Sequence, residues 1–139
     1  MKKMVTLFLI FIGIAGFYVA FNKITEETIK NYEPISYDEV ISKTKDQRDF
    51  ILFIKKDGCI HCENVEPIIN EAAKMTNIDI LAITANKEKE QNSLVNKFEI
   101  SLYPTIIFFK KGIERARIVG EFDNQELQKM IGELKYEPK

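Results

Sequence analysis

The sequence predicts an α/β domain with a mixed central sheet and helices on both faces. Three observations carry that prediction. Apolar runs of strand length occur at Phe50–Lys55, at residues 78–84 and at Thr105–Lys110. Amphipathic helical stretches alternate with them, so the order reads helix, strand, helix, strand, helix, then two strands and a closing helix. The first run, FILFIK, is apolar almost without interruption, the pattern of a central strand covered on both faces. A chain of 139 residues allows one ordinary domain and a small extra. With 45% hydrophobic and 29% charged residues, it has the composition of a globular protein rather than a disordered one. The net charge of −1 argues against nucleic-acid binding. No internal repeat or low-complexity segment breaks the pattern.

In chain order, Lys2 and Lys3 precede residues 4–21, MVTLFLIFIGIAGFYVAF, which carry no charge. Such a run is near the lower limit for a membrane-spanning helix. It is read as an uncleaved anchor, since no small-x-small pattern for a signal cleavage site ends it. Residues 1–22 are therefore assigned to the anchor, 23–35 to a polar linker and 36–139 to the folded domain. Ser36 and Glu39 stand at the two positions of a capping box, opening a helix over 37–44. Lys45 to Asp49 form a turn before the first strand. Lys56-Asp57-Gly58 leads into an amphipathic helix over 62–75, with Val65, Ile68, Ile69, Ala72 and Ala73 on one stripe and Glu63, Glu66, Asn70 and Lys74 mostly opposite. Pro67 lies inside it and is expected to kink it.

After the strand at 78–84, residues 85–92 read as a charged loop or helix start. Residues 93–98 are helical, with Leu94, Val95 and Phe98 inward. A loop over 100–104 precedes the strand Thr105–Lys110. Lys111-Gly112 turns tightly into a hairpin partner at Ile113–Val119. Gly120 marks a bulge or a close backbone approach. Asp123 caps a helix over 124–135, with Leu127, Met130, Ile131 and Leu134 on its inner face.

The chemistry concentrates at Cys59-Ile60-His61-Cys62, which holds the only two cysteines and the only histidine. Three positions is too short a loop to staple a fold, so the value of the pair is chemical. Two cysteines and one histidine also fall one ligand short of a closed structural zinc site. A strand, a short turn and a helix opening on Cys-x-x-Cys is the arrangement a redox dithiol needs. Free backbone N–H groups and the helix dipole stabilise a thiolate at the first position. Cys59 is read as the nucleophile and Cys62 as the resolving thiol. Ile60 and His61 are read as tuning residues, His61 through its charge or a hydrogen bond to the Cys59 thiolate. A Cys–His hydrolase is disfavoured because no third, orienting group can be named. No cofactor and no metal site is read.

These features together resemble the thioredoxin family over residues 36–135. The matching features are Cys59-x-x-Cys62, Pro67 in the active-site helix, Tyr103-Pro104-Thr105, the Lys111-Gly112 hairpin turn and Gly120 ahead of the last helix. The resemblance implies a thioredoxin-like fold, here preceded by one N-terminal transmembrane helix. It also implies a cis bond before Pro104 and a substrate groove shaped by Tyr103, Pro104 and Thr105. Three positions depart from thioredoxins proper. Phe53 replaces a buried acid, Gly58 replaces a tryptophan, and Ile-His replaces Gly-Pro between the cysteines. With Phe53 there, Glu63 is the nearest candidate proton acceptor for Cys62. In these departures the chain is more similar to extracytoplasmic, membrane-tethered relatives, and shares the motif histidine of periplasmic disulfide oxidases.

The expected function is thiol–disulfide exchange on extracytoplasmic proteins, leaning towards oxidation. Its expected partners are proteins bearing thiols or disulfides, a redox partner that resets the dithiol, and the membrane through residues 4–21, with the chain a monomer. Lys2 and Lys3 place the N-terminus in the cytoplasm and the domain outside. The Lys-, Ile- and Asn-rich composition fits a low-GC bacterium. The alternative is a non-enzymatic module presenting the same groove to a secretion or transport partner. Metal delivery through Cys59 and Cys62 ranks below both.

Overall fold

The computed structural model describes residues 11–18, 30–86 and 88–136. It divides into two compact units, Met1–Lys30 and Asn31–Lys139. Residues 11–18 are helical and exposed. The remainder of the proposed anchor, and of the linker up to residue 29, lies outside the described residues. Among the described residues, no helix is long and apolar enough to cross a membrane.

The second unit contains β1 (Glu33–Pro34), α1 (Tyr37–Lys45), β2 (Phe50–Lys55), α2 (Ile60–Met75), β3 (Ile80–Thr84), α3 (Glu88–Phe98), β4 (Thr105–Lys110), β5 (Ile113–Val119) and α4 (Asn124–Leu134). Five strands form one sheet in the order β1-β3-β2-β4-β5. β1, β3 and β2 run parallel, while β4 lies antiparallel to β2 and β5 antiparallel to β4. The sheet is thus mixed, as its sequence pattern implies.

Alternation along β2 explains its unbroken apolar content. Ile51 and Phe53 face a core shared with Val65, Ile69 and Ala72 of α2 and Leu127 of α4. Phe50, Leu52 and Ile54 face a second core with Val40 of α1 and Leu94 and Phe98 of α3. Each face needs its own apolar set, so successive residues are both buried. Phe50 pairs with Phe109 across the ladder, and their rings stack with centroids 4.5 Å apart.

The helix boundaries follow local chemistry. Ser36 and Glu39 exchange the reciprocal capping-box hydrogen bonds that open α1. Asp123 accepts from the Glu126 N–H to open α4. Lys111 and Gly112 both have positive φ, the two-residue turn whose twist matches an antiparallel hairpin. Gly112 is required twice over, since a Cβ there would lie 1.9 Å from the Thr44 carbonyl oxygen.

Several elements differ from the sequence reading. Residues 33–34, assigned to the linker, pair with Leu81 and Ala82 of β3, and Tyr32 is buried at 5% exposure. A two-residue edge strand is too short to show a period of its own. α2 begins at Ile60 rather than 62, and α3 begins at Glu88 rather than 93. The Glu- and Lys-rich segment before Leu94 has good helix propensity, and that carries α3 back to Glu88. Val95 is exposed rather than inward, because it sits a step of about 100° off the Leu94–Phe98 stripe. The register shift in the hairpin falls between Phe108 and Phe109, not at Gly120.

Candidate active site

β2 delivers the chain to the C-terminal end of the central strand at Lys55, and Lys56-Asp57-Gly58 turns it into α2. Gly58 takes the left-handed conformation the turn requires, with φ of 67°. Asn86, after β3, braces the turn. Its Oδ1 accepts from the Asp57 N–H at 3.0 Å, and its Nδ2 donates to the Asp57 carboxylate.

Cys59 is the N-cap of α2. Its sulfur receives the backbone N–H of Cys62 at 3.2 Å, and its carbonyl accepts from the N–H groups of Cys62 and Glu63. The two cysteines are joined in a disulfide with their Cα atoms 5.3 Å apart. They differ in access: Cys62 is 2% exposed, whereas Cys59 is only partly buried.

The opposite wall is the loop before β4. The Tyr103–Pro104 bond is cis, and the Tyr103 carbonyl oxygen lies 3.9 Å from Cys59 Sγ. Thr105 is 1% exposed, and its hydroxyl donates to Leu102 O at 2.7 Å. It therefore holds the loop from behind rather than lining a groove. Tyr103 offers the dithiol its backbone, while its ring packs against the α1–α3 core, where its hydroxyl is buried and burial raises its pKa. The exposed apolar side chains on this rim are Ile60 and Leu102, at 60% and 59% exposure. Pro104 is buried, and its carbonyl accepts from the Gly120 N–H at 2.9 Å. A Cβ at Gly120 would meet nothing within 4 Å, so what calls for glycine there is its positive φ of 91° rather than the close backbone approach expected.

His61 turns to a partner that the sequence did not suggest. Its Nδ1 lies 2.5 Å from Glu121 Oε1, and Asn64 Nδ2 donates to the same oxygen at 2.8 Å. These hydrogen bonds, His61 first, hold the Glu121 carboxyl below its ordinary range. A third group orienting the histidine thus exists, sixty positions away in sequence. Nothing in the local sequence signals it.

Phe53 is fully buried beneath the site, and Glu63 is exposed. The half-buried carboxylate nearby is Glu66. It pairs with Lys55 Nζ at 2.8 Å and accepts from the Tyr32 hydroxyl. Lys55 Nζ in turn lies 5.9 Å from the centre of the Phe53 ring. The sequence reading placed Glu66 on the outer stripe of α2. The signal it passed over is Lys55 itself, a charge ending a buried strand and needing a partner.

The thioredoxin family model matches residues 28–133. The chain belongs to the thioredoxin family. Thioredoxin of Chlamydia pneumoniae is 34% identical over 76 residues, covering 54% of this chain and 72% of that protein. Protein disulfide isomerase-like 2-2 of Oryza sativa subsp. japonica is 28% identical over 80 residues, covering 57% of this chain and 21% of its own length. The chain spans about a fifth or less of the disulfide isomerases it matches in rice, Schistosoma mansoni and Caenorhabditis elegans. Among solved structures, thioredoxin O2 from Arabidopsis thaliana in the oxidized state superimposes with a TM-score of 0.62 at 23% identity. That match covers 77% of this chain and 96% of that one, and shows the shared fold.

Proposed function

We propose that this thioredoxin-family chain is a thiol–disulfide oxidoreductase that oxidises protein dithiols outside the cytoplasm. The observation that carries the reading is the setting of Cys59. It is the accessible cysteine, it caps α2, and the Cys62 N–H points at its sulfur. The relatives, named as thioredoxins and disulfide isomerases, support the same chemistry.

In this reading a substrate thiolate attacks Cys59 Sγ. A substrate–Cys59 disulfide forms, the Cys59–Cys62 bond breaks, and Cys62 leaves as a thiolate that takes up a proton. A second substrate thiolate then attacks the sulfur bound to Cys59, completing the substrate disulfide and expelling the Cys59 thiolate. The substrate loses two electrons, the dithiol gains them, and a redox partner must reoxidise it. The helix N-terminus stabilises the expelled Cys59 thiolate, which favours the reduced protein and hence oxidation of substrate. The Tyr103 carbonyl gives an extended substrate segment a backbone acceptor beside the sulfur. Residues 4–21 would anchor the chain, with Lys2 and Lys3 on the cytoplasmic side.

The test uses the full chain and a reduced, unfolded dithiol protein. Cys62→Ser, mixed instead with the oxidised form of that protein, should trap a mixed disulfide, the Cys59 thiolate attacking the substrate disulfide with no second thiol to release it. Cys59→Ser should trap none, and the double serine variant should have no activity. Full activity in the double variant would sink the redox reading.

A further inference from the structure

Two short segments meet at one carboxylate. The Gly120 N–H holds the carbonyl of Pro104, and the adjacent Glu121 carboxylate receives His61 and Asn64 from the first turns of α2. Residues 120–121 therefore tie together both walls of the dithiol site. His61 lies between the two cysteines in sequence, and among the described contacts its polar partner is Glu121 rather than a cysteine sulfur.

We propose that Glu121 is a positioning residue that restrains the reactivity of Cys59 by holding and neutralising His61. The inference rests on the oxidoreductase reading above. Its sign follows from charge. With His61 protonated, the pair contributes no net charge, and removing the carboxylate leaves a cation. With His61 neutral, the same removal takes the pair from an anion to no charge. In either state the surroundings of Cys59 become one unit more positive, which favours the thiolate. Release also frees the imidazole N–H to hydrogen-bond that thiolate. Both effects stabilise the reduced protein and make the disulfide more oxidising. Glu121 thus keeps a dithiol whose motif contains histidine less oxidising than that motif alone would make it. Both side chains are substantially exposed, at 64% and 45%, so solvent screens the effect.

The experiment equilibrates the full chain with glutathione at pH 5.5, where a free imidazole is mostly charged. Wild type is compared with Glu121→Ala, His61→Ala and the double variant. Glu121→Ala should shift the equilibrium about threefold towards the reduced protein, a potential about 15 mV less negative. In the His61→Ala background only the direct charge effect of the carboxylate survives, so the same substitution should shift it in the same direction but by measurably less, the difference being the part carried through the imidazole. Glu121→Gln, which keeps an acceptor oxygen without the charge, should fall between and serves if the alanine variant misfolds. No shift, a shift of opposite sign, or an equal shift with and without His61 overturns the inference while leaving the oxidoreductase reading intact. A wild-type chain that reaches no equilibrium with glutathione overturns both.

Discussion

At the scale of single residues, function turns on which atoms face Cys59. The Cys62 N–H and the Tyr103 carbonyl reach its sulfur from opposite walls. Both are backbone groups, so their placement depends on the cap and on the Tyr103–Pro104 loop rather than on side-chain identity. His61 is the exception, and its carboxylate partner can titrate. Because hydrogen bonds from His61 and Asn64 depress the folded-state pKa of Glu121, the tie is complete above the ordinary glutamate value of about 4.3. It is lost as the pH falls through the lower, folded value. A carbon-detected NMR titration should place the Glu121 midpoint below that of an exposed glutamate. His61→Ala should move it back up. An unchanged midpoint would show that the tie does not persist in solution.

Between elements, the contact joining β2 to α2 under the site is Lys55 with Glu66. Their side chains are 13% and 25% exposed, so water compensates poorly for a lost partner. Tyr32, from the segment before β1, adds its hydroxyl to the carboxylate and packs edge-on against Phe53 at 6.1 Å. One half-buried charge pair thus fastens an edge strand, a central strand and the dithiol helix. Glu66→Ala should lower stability by about 1–3 kcal/mol in urea unfolding. Lys55→Met with Glu66→Met should recover much of that loss, since two apolar side chains leave no buried charge unmatched. If the single variant is neutral, the pair is not a structural fastening.

For the molecule as a whole, stability resides in the two cores that sandwich the sheet. Phe53 and Phe108 anchor one, and Phe50 and Phe109 the other. The disulfide closes a loop too short to restrict the unfolded chain appreciably. Reduction should therefore leave the far-UV circular dichroism unchanged. It should not lower the thermal midpoint, because the thiolate gains its helix-cap stabilisation only in the folded state. A clear fall on reduction would contradict the assignment of this pair to chemistry rather than to stapling.

Most of the architecture was legible in the sequence because its signals are local. β2 and β4 announce themselves as apolar runs, Ser36 and Asp123 as caps, and Cys59-Ile60-His61-Cys62 as a dithiol at a helix start. The order of elements narrows the topology further, since short connections leave few arrangements. What escaped was long-range. Glu33–Pro34 has no period to read, and its strand exists because β3 has an edge to pair. Glu66 looked like a surface residue until Lys55 came to rest against it. Glu121 carries no local signal, and it meets His61 because β5 returns beside β4 and ends next to the Pro104 loop. Backbone conformation depends on neighbours in sequence, and so can be read along the chain. The pairing of charges around a reactive sulfur depends on which distant segments the assembled sheet brings together.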